Sequence, residues 1–375
     1  MTAAASGNAA VASATAPAKI NLVLEVVGRR PDGFHELRSV IAPLALADTL
    51  WVRPAGSPRA AGGSPDRAAG GSPDRAAGGS PGSIADLGDR LAIAGAPGLA
   101  VEENLVLRAA ALLRAGSARP LPPLAFRLRK RVPVAAGLGG GSSDALAALD
   151  LAASAWGSRL GERRRRRLAA LLGSDVPFFA LGGWALAGGR GERLRRLPPP
   201  AGGPLGVLLV VPAARLSTRD VFAALDAAEE RGAGEGRAAA APALEPPGAQ
   251  PPEPPASLLD EPLGARHGDA ASLAALLVRG ATAAEVAAIS PANDLLPAAA
   301  RLLPALEPLR HALAALLGRA VHLSGSGPSL AVLYASPQAA RRAASVVRAA
   351  ARDGHLPRPG GSLEVIATRT LGGEA

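Results

Sequence analysis

The chain has 375 residues, 48% of them hydrophobic, which is enough apolar material for one large globular domain or two ordinary ones. It has no cysteine, which excludes disulfides, thiolate zinc sites and cysteine nucleophiles. Residues 1–17 lack a positive charge, and the longest aliphatic run, Leu205–Val211, is far shorter than the about 20 residues of a membrane span. We therefore expect a cytoplasmic protein without a membrane partner.

The first half of the chain begins with residues 1–15, which we interpret as a disordered tail. The pattern of apolar residues then predicts five elements in chain order: strands at 19–27 and 48–52, a helix at 104–113, a strand at 124–132 and a helix at 142–156. Ser142, Ser143 and Asp144 are good N-cap residues for that last helix. Three copies of the unit Arg-Ala-Ala-Gly-Gly-Ser-Pro-Asp fill residues 59–82, so we expect a low-complexity insertion at 55–83.

The second half of the chain predicts nine further elements. In order, these are strands at 184–186 and 207–211, helices at 219–229, 269–278, 296–304 and 306–317, strands at 320–323 and 331–334, and a helix at 337–352. Residues 231–262 contain three Pro-Pro pairs, which predicts a second flexible insertion. Because strands and helices are mixed without strict alternation, the pattern favours an α+β fold.

The most informative segment is the glycine-rich loop that connects a predicted strand to the helix at 142–156. Glycines permit close approach of phosphate oxygens to the backbone, and the N-terminus of a following helix attracts anions. No lysine follows the glycines, as a P-loop would require, and the third glycine of a dinucleotide fingerprint is replaced by Ser142. The segment predicts a phosphate cradle made of Pro133, Val134, Ala135, Ala136, Gly137, Leu138, Gly139, Gly140, Gly141, Ser142 and Ser143.

Three segments together resemble the GHMP kinases. The loop at 133–143 resembles their second motif, which grips the ATP phosphates; residues 17–22 (PAKINL) resemble the first motif and residues 324–329 (SGSGPS) the third. This resemblance implies a ribosomal-protein-S5-domain-2-like N-terminal domain at 16–195 and an α/β-sandwich C-terminal domain at 196–375. It also implies ATP as phosphoryl donor, with Mg²⁺ delivered by ATP and no assigned protein ligand for the metal.

The same resemblance implies catalytic roles for two residues. Asp175, in the segment Gly173–Phe179 (GSDVPFF), would act as the base that takes the proton of an acceptor alcohol. Lys19 would keep that carboxylate ionised and neutralise charge on the transferred phosphoryl group. Asp144 stands where the family often has asparagine, and we expect it to face outward at the second helical residue, where it complements the helix dipole.

Further segments are similar to one branch of the family, which acts on 4-diphosphocytidyl-2-C-methyl-D-erythritol. They are Gly28–Leu37 (GRRPDGFHEL), Glu103–Ala110, Leu216–Phe222 and Asn293–Leu295. This similarity implies that His35 contacts the cytosine ring and that Phe34 and Phe222 enclose it, with Asn21 and Thr218 also on the substrate. Phe34 replaces the usual tyrosine, so it keeps the ring face and loses a hydroxyl.

The sequence leaves two other functions open. One is a GHMP kinase for another alcohol, such as homoserine, mevalonate or a sugar. The other is a nucleic-acid-binding protein, since the net charge is +10. Aromatic residues are only 2%, and the arginines are spread out, with the run at 163–167 interpreted as a solvated helix face. We therefore expect no nucleic-acid partner, and a monomer or homodimer.

Lysine usage is a further signal. The chain has 41 basic residues, and all except Lys19 and Lys130 are arginine. Where arginine has taken nearly every basic position, a remaining lysine is a candidate for one that the chemistry requires.

Overall fold

The computed structural model describes residues 12–56, 88–101, 104–234, 269–289 and 292–372. The predicted repeat at 59–82, residues 1–11 of the predicted tail and residues 235–262 of the second predicted insertion lie outside these ranges. Within the described ranges the elements, in chain order, are β1 (Ala12–Arg29), β2 (His35–Pro54), β3 (Arg90–Ala94), α1 (Leu105–Ala115), β4 (Leu124–Arg129), α2 (Gly140–Ala155), α3 (Glu162–Leu172), α4 (Val176–Leu181), β5 (Trp184–Gly188), β6 (Arg193–Leu197), β7 (Gly206–Pro212), α5 (Thr218–Gly234), α6 (Ala270–Val278), α7 (Ala283–Ala288), α8 (Leu296–Leu302), α9 (Leu306–Leu317), β8 (His322–Leu323), β9 (Leu330–Tyr334), α10 (Pro337–Arg352) and β10 (Leu363–Arg369).

The described residues form two compact units that alternate along the chain. Of the described residues, the first unit takes those within 12–16, 47–131 and 140–176, and the second takes those within 17–46, 132–139 and 177–372. The domain boundary at 195–196 that the sequence suggested stays a prediction. The mixture of helices and antiparallel strands confirms the α+β class.

In the first unit, β4 lies between two strands. It pairs antiparallel with the second half of β2 and parallel with β3. Helices α1 and α2 pack on each other, and Asn104 caps α1 by accepting a hydrogen bond from the Val106 N–H (3.0 Å). In α3 only Ala169 and Leu172 are buried, which confirms the solvated helix face predicted for residues 163–167.

In the second unit, a four-stranded antiparallel sheet has the order β10-β7-β9-β8. Every residue of β7 is buried, which accounts for its unbroken aliphatic sequence. Helix α10 covers this sheet through Ala340, Ala344 and Val347. Strand β5 pairs with the first half of β2 and with β6, and Trp184 at its start is buried with its indole N–H bonded to the carbonyl of Leu371 (2.9 Å).

Three predicted boundaries are wrong. Strand β1 begins at Ala12, inside the predicted tail, because Ala12–Thr15 already follow the alternating exposure of a strand. Helix α5 continues to Gly234, inside the predicted insertion. Helix α2 begins at Gly140, so Ser142 and Ser143 are its third and fourth residues and do not cap it. Glycine is a weak helix former, so the sequence pattern favoured the later start.

Candidate active site

Lys19 and Asn21 lie next to each other on one face of β1, in the second unit. Lys19 is 5% exposed, and its ammonium donates to Oδ1 of Asn21 (2.6 Å). The Asn21 amide in turn donates to the hydroxyl of Ser39 (2.8 Å), which donates to the Val23 carbonyl (2.6 Å). This chain of hydrogen bonds fixes the Lys19 side chain, so the structure holds a buried cation at a defined position.

The glycine loop approaches that cation closely. Its residue Leu138 accepts a backbone hydrogen bond from Lys19 (2.9 Å), and Gly137 and Gly139 have positive φ angles of 74° and 69°. A Cβ on Gly139 would lie 2.8 Å from Cγ of Lys19 and 3.1 Å from Cζ of Phe179. Glycine is therefore required there both for its backbone conformation and for the space that the lysine stem occupies.

The third motif meets the first two at the same place. A Cβ on Gly325 would lie 3.2 Å from the Lys19 ammonium, and a Cβ on Gly137 only 2.2 Å from the carbonyl oxygen of Ser324. The Ser324 hydroxyl donates to the carbonyl of Gly137 (3.3 Å). The structure thus brings three segments that are far apart in the sequence together around one ammonium group. Two of these segments, the glycine loop and the third motif, place glycines there.

Two more side chains hold the third motif in place. The hydroxyl of Thr218, at the start of α5, is 2.8 Å from that of Ser326. The amide of Asn293 donates to the carbonyls of Leu323 and Gly325 (both 2.8 Å). Of these, the sequence had suggested only Thr218 as a site residue, and it assigned no role to Asn293.

His35 and Phe222 lie together at a second place in the same unit. Their rings stack with centroids 4.8 Å apart and an interplanar angle of 26°. Nε2 of His35 is 2.7 Å from Oδ1 of Asp226, which stands one helical turn after Phe222 on α5. In a neutral imidazole that donates to an ionised carboxylate, Nε2 carries the proton and Nδ1 is the acceptor.

Phe34 differs from its neighbour His35 in its surroundings. It is 50% exposed, and the guanidinium of Arg190 lies 4.5 Å from the centre of its ring. A ring whose face is accessible can stack with a flat ligand. One face of Phe222 is already stacked on His35, so only its other face could contact a base. Enclosure of one base by Phe34 and Phe222 stays a prediction.

Asp175 lies in the turn that precedes α4 and is partly exposed. Its neighbour Val176, the first residue of α4, is buried. Ser143 is buried and Ser142 is partly exposed, both within the first turns of α2. The catalytic role of Asp175 stays a prediction.

The outward-facing orientation predicted for Asp144 is wrong. Asp144 is the fifth residue of α2 and only 3% exposed, and its Oδ2 accepts a hydrogen bond from the Lys130 ammonium (2.7 Å). Burial raises the pKa of Asp144, against the attraction of Lys130. Burial lowers the pKa of Lys130, but the charges of Asp144 and Asp48 outweigh it and raise that pKa overall.

Sequence reasoning missed Asp226, Asn293 and Ser39 as site residues. A signal existed for Asp226, which follows Phe222 by four residues on a predicted helix and so shares its face. Asn293 was noted only as part of a family segment. Ser39 carried no signal, because its contact with Asn21 depends on the pairing of distant residues.

Comparisons with known proteins agree with this geometry. The family models described as "GHMP kinases N terminal domain" and "GHMP kinases C terminal" match residues 104–183 and 268–353. A 4-diphosphocytidyl-2-C-methyl-D-erythritol kinase of Pelotomaculum thermopropionicum is 36% identical over 339 residues, which cover 90% of this chain and 94% of that protein. The chain belongs to the 4-diphosphocytidyl-2-C-methyl-D-erythritol kinases, a branch of the GHMP kinases.

Other members of this kinase family and its solved structures are also similar to the chain. The 4-diphosphocytidyl-2-C-methyl-D-erythritol kinase of Streptomyces avermitilis is 34% identical over 92% of this chain and 97% of its own length. A crystal structure of 4-(cytidine 5'-diphospho)-2C-methyl-D-erythritol kinase matches with a TM-score of 0.60 and 31% identity, covering 96% of this chain and all of that one. Mevalonate kinase of L. major, at a TM-score of 0.56 and 13% identity, shares the fold alone.

As a member of an ATP-dependent kinase family, the chain uses ATP on a small-molecule substrate. In the part of the chain that the structure describes, no helix is long and apolar enough to cross a membrane. The same residues include no group of three or more His, Asp or Glu side chains placed to hold a metal ion.

We expect Gly137→Ala to damage the site of this kinase. The added Cβ would overlap the Ser324 carbonyl, and the φ of +74° is strained for any L side chain. If the loop holds the phosphates of ATP, as the sequence predicts, the KM for ATP should rise by about tenfold or more, since small displacements of such a loop are costly. Steady-state kinetics and thermal melting measure the change.

Gly157→Ala is the matched control for this prediction. Gly157 also has a positive φ (+63°), but nothing lies within 4 Å of an added Cβ. It should therefore lose some stability and keep the ATP KM. An unchanged ATP KM in Gly137→Ala would show that the contact between the second and third motifs does not shape the site.

Proposed function

We propose that the chain transfers the γ-phosphoryl group of ATP to the 2-hydroxyl of 4-diphosphocytidyl-2-C-methyl-D-erythritol, a step in isoprenoid precursor synthesis by the methylerythritol route. The observation that carries the proposal is the convergence of three distant segments around the Lys19 ammonium, in a chain 36% identical to such a kinase over 90% of its length. An ammonium beside two glycine loops is suited to an anion that gains charge during reaction.

In the proposed reaction, Asp175 takes the proton of the 2-hydroxyl. The hydroxyl oxygen forms a bond to the γ-phosphorus, the bond from that phosphorus to the bridging oxygen breaks, and ADP leaves with both bonding electrons. The carboxylate is useful because an alcohol is a weak nucleophile. Lys19, held by Asn21, stabilises the negative charge on the phosphoryl oxygens.

The glycine loop at 133–143 would hold the phosphates of ATP. Bare backbone at Gly137, Gly139 and Gly325 fits this role, because side chains there would fill the space. Mg²⁺ would arrive with ATP, bound mainly by phosphate oxygens, and neutralise charge on them. The residues of this chain bind and orient the nucleotide and exclude water.

The cytidine end of the substrate would bind beside His35, Phe34 and Phe222. With Nε2–H donating to Asp226, Nδ1 of His35 is left to accept a hydrogen bond. Cytosine presents an exocyclic amine, which is a donor, whereas uracil presents a carbonyl at that position. Asn21 and Thr218 would contact the rest of the substrate near the reacting end.

Asp226→Asn should weaken binding of the cytidylyl substrate. The variant loses a charge-assisted hydrogen bond to His35, so the imidazole is no longer held in one tautomer. We expect the KM for the substrate to rise about tenfold, which corresponds to a loss of about 1.4 kcal/mol of binding free energy with that bond. The KM for ATP should not change. Asp220→Asn is the control, an exposed aspartate in the first turn of the same helix. Equal behaviour of the two variants would contradict the role of Asp226.

The test of the proposed function is ADP release by purified protein with ATP and Mg²⁺. Four acceptors are compared: 4-diphosphocytidyl-2-C-methyl-D-erythritol, homoserine, mevalonate and galactose. Release with the cytidylyl substrate alone is the expected result. Turnover of another acceptor would keep the family and change the substrate. No turnover with any acceptor, together with salt-dependent retention on nucleic acid, would favour the binding protein that the charge suggested.

A further inference from the structure

A buried cluster of three charged side chains lies in the first unit. The Lys130 ammonium donates to Oδ2 of Asp48 (2.5 Å) and to Oδ2 of Asp144 (2.7 Å), and Oδ1 of Asp48 accepts the Arg131 N–H (2.5 Å). Lys130, Asp48 and Asp144 are 7%, 0% and 3% exposed. Three charges are thus removed from water at one place.

Burying ionisable side chains costs desolvation free energy, so the presence of this cluster needs a reason. Removing one partner of a buried pair leaves an uncompensated charge, whereas a well-packed apolar replacement of the pair is often neutral or stabilising. Two carboxylates share one cation here, and Oδ1 of Asp144 is buried without a hydrogen-bond partner among the described residues. General stability alone is therefore a weak explanation for keeping these side chains.

The choice of lysine also fits a specific requirement. Arginine occupies every other basic position except that of Lys19. An ammonium is compact and can direct separate N–H groups at two carboxylates, whereas a guanidinium is a wide planar fork. At a site this enclosed, arginine would not fit without displacing its neighbours.

The position of the cluster along the chain indicates what it holds. Lys130 directly follows β4 and precedes the glycine loop by three residues, and Asp144 lies in the helix that the loop enters. The ion pair between them therefore closes a ring of 14 residue steps that contains Pro133–Gly139. Asp48 anchors the same ammonium to β2 and also binds the backbone of Arg131.

We propose that Lys130 and Asp144, anchored by Asp48, are positioning residues that tie the two ends of the phosphate loop together and thereby set its affinity for nucleotide. This proposal rests on the proposed function only for the identity of the phosphate ligand. Neither side chain contacts substrate in it; both act by limiting the conformations of the loop between them, which lowers the entropy lost when a nucleotide binds.

The test is ADP·Mg²⁺ binding by titration calorimetry together with steady-state kinetics of Lys130→Met. Calorimetry needs no acceptor, so its result stands even if the assigned acceptor is wrong. We expect the Kd for ADP and the KM for ATP to rise about tenfold or more, because the loop loses its preorganised geometry, with the KM for the acceptor within about twofold of wild type. Equal rises in both KM values would overturn the proposal.

A second variant separates positioning from stability. Lys130→Met/Asp48→Asn/Asp144→Leu removes all three ionisable groups of the cluster, and the asparagine introduced at position 48 can still accept the Arg131 N–H. This triple variant should recover much of the melting temperature that the single variant loses. If the cluster positions the loop, the triple variant keeps the weakened ADP binding. Recovery of wild-type ADP affinity along with the melting temperature would show a purely structural role and contradict the proposal.

Two further variants keep the test decisive. If Lys130→Met does not fold, Asp144→Asn loosens the same pair more gently, and ADP binding should still weaken by about threefold to fivefold. Asp150→Asn is the matched control, since it breaks the partly exposed ion pair with Arg165 (2.7 Å) on the same helix α2. ADP binding in that control should not change. Unchanged ADP binding in Asp144→Asn would overturn the proposal.

Discussion

Replacing Asp175 by asparagine should lower kcat by about 10²–10⁴-fold, the range in which a positioned general base contributes. Asparagine has nearly the same shape and cannot take the proton of the 2-hydroxyl. Asp175 lies in the turn before α4 and is partly exposed, and thermal melting would check that the variant keeps the fold. The KM for ATP should stay within about twofold of wild type, because the base acts only in the chemical step.

Ser174→Ala is the control for this prediction, since Ser174 is exposed in the same turn. It should keep wild-type kinetics. Single-turnover measurements would show whether the loss in Asp175→Asn lies in the chemical step. Turnover close to wild type in that variant would remove Asp175 from the base role and leave positioning and charge stabilisation as the sources of catalysis.

Lys19→Met should lower kcat by about 10³-fold, at the upper end of the effect of one preorganised electrostatic donor. Methionine keeps an unbranched stem, which preserves the contact with Gly139, and removes the charge. The ammonium is buried and bonded to Asn21, so its charge acts with little screening by water. Steady-state kinetics with the cytidylyl substrate measure the loss.

Asn21→Ala separates the charge of Lys19 from its position. This variant leaves the ammonium in place and removes the hydrogen bond that directs it, so a smaller loss of about tenfold is expected. If Lys19→Met and Asn21→Ala lose equal activity, the effect comes from the packing of β1 and the glycine loop, and Lys19 has no electrostatic role.

Much of the fold could be predicted from local sequence. Helix α9 was predicted to the residue at Leu306–Leu317, and α10 at Pro337–Arg352, where Ser336 caps the helix and proline occupies its first position. Strands β3, β6 and β10 were missed. In the described part of the chain each of them pairs with one neighbour and is largely half-buried or exposed, so it buries too few apolar residues to stand out in the sequence.

The candidate site was predictable to the extent that its residues lie in contiguous motifs. Lys19, Gly137, Gly139 and the loop at 324–327 were found in the sequence, and the structure brings them together. The partners Asp226 and Ser39 were not found, because they contact the site across large sequence separations. Asp144 was misinterpreted because the start of α2 was placed two residues late, which turned a buried position into an outward-facing one.

The burial of both lysines has a consequence for chemical labelling. An amine-reactive reagent finds only Lys19 and Lys130 as side-chain targets, and neither is more than 7% exposed. Acylation of a lysine in this protein therefore requires a local opening that exposes it. The extent of labelling at each lysine, read by mass spectrometry, thus reports how often the surroundings of that ammonium open, with no engineered probe and without background from other lysines.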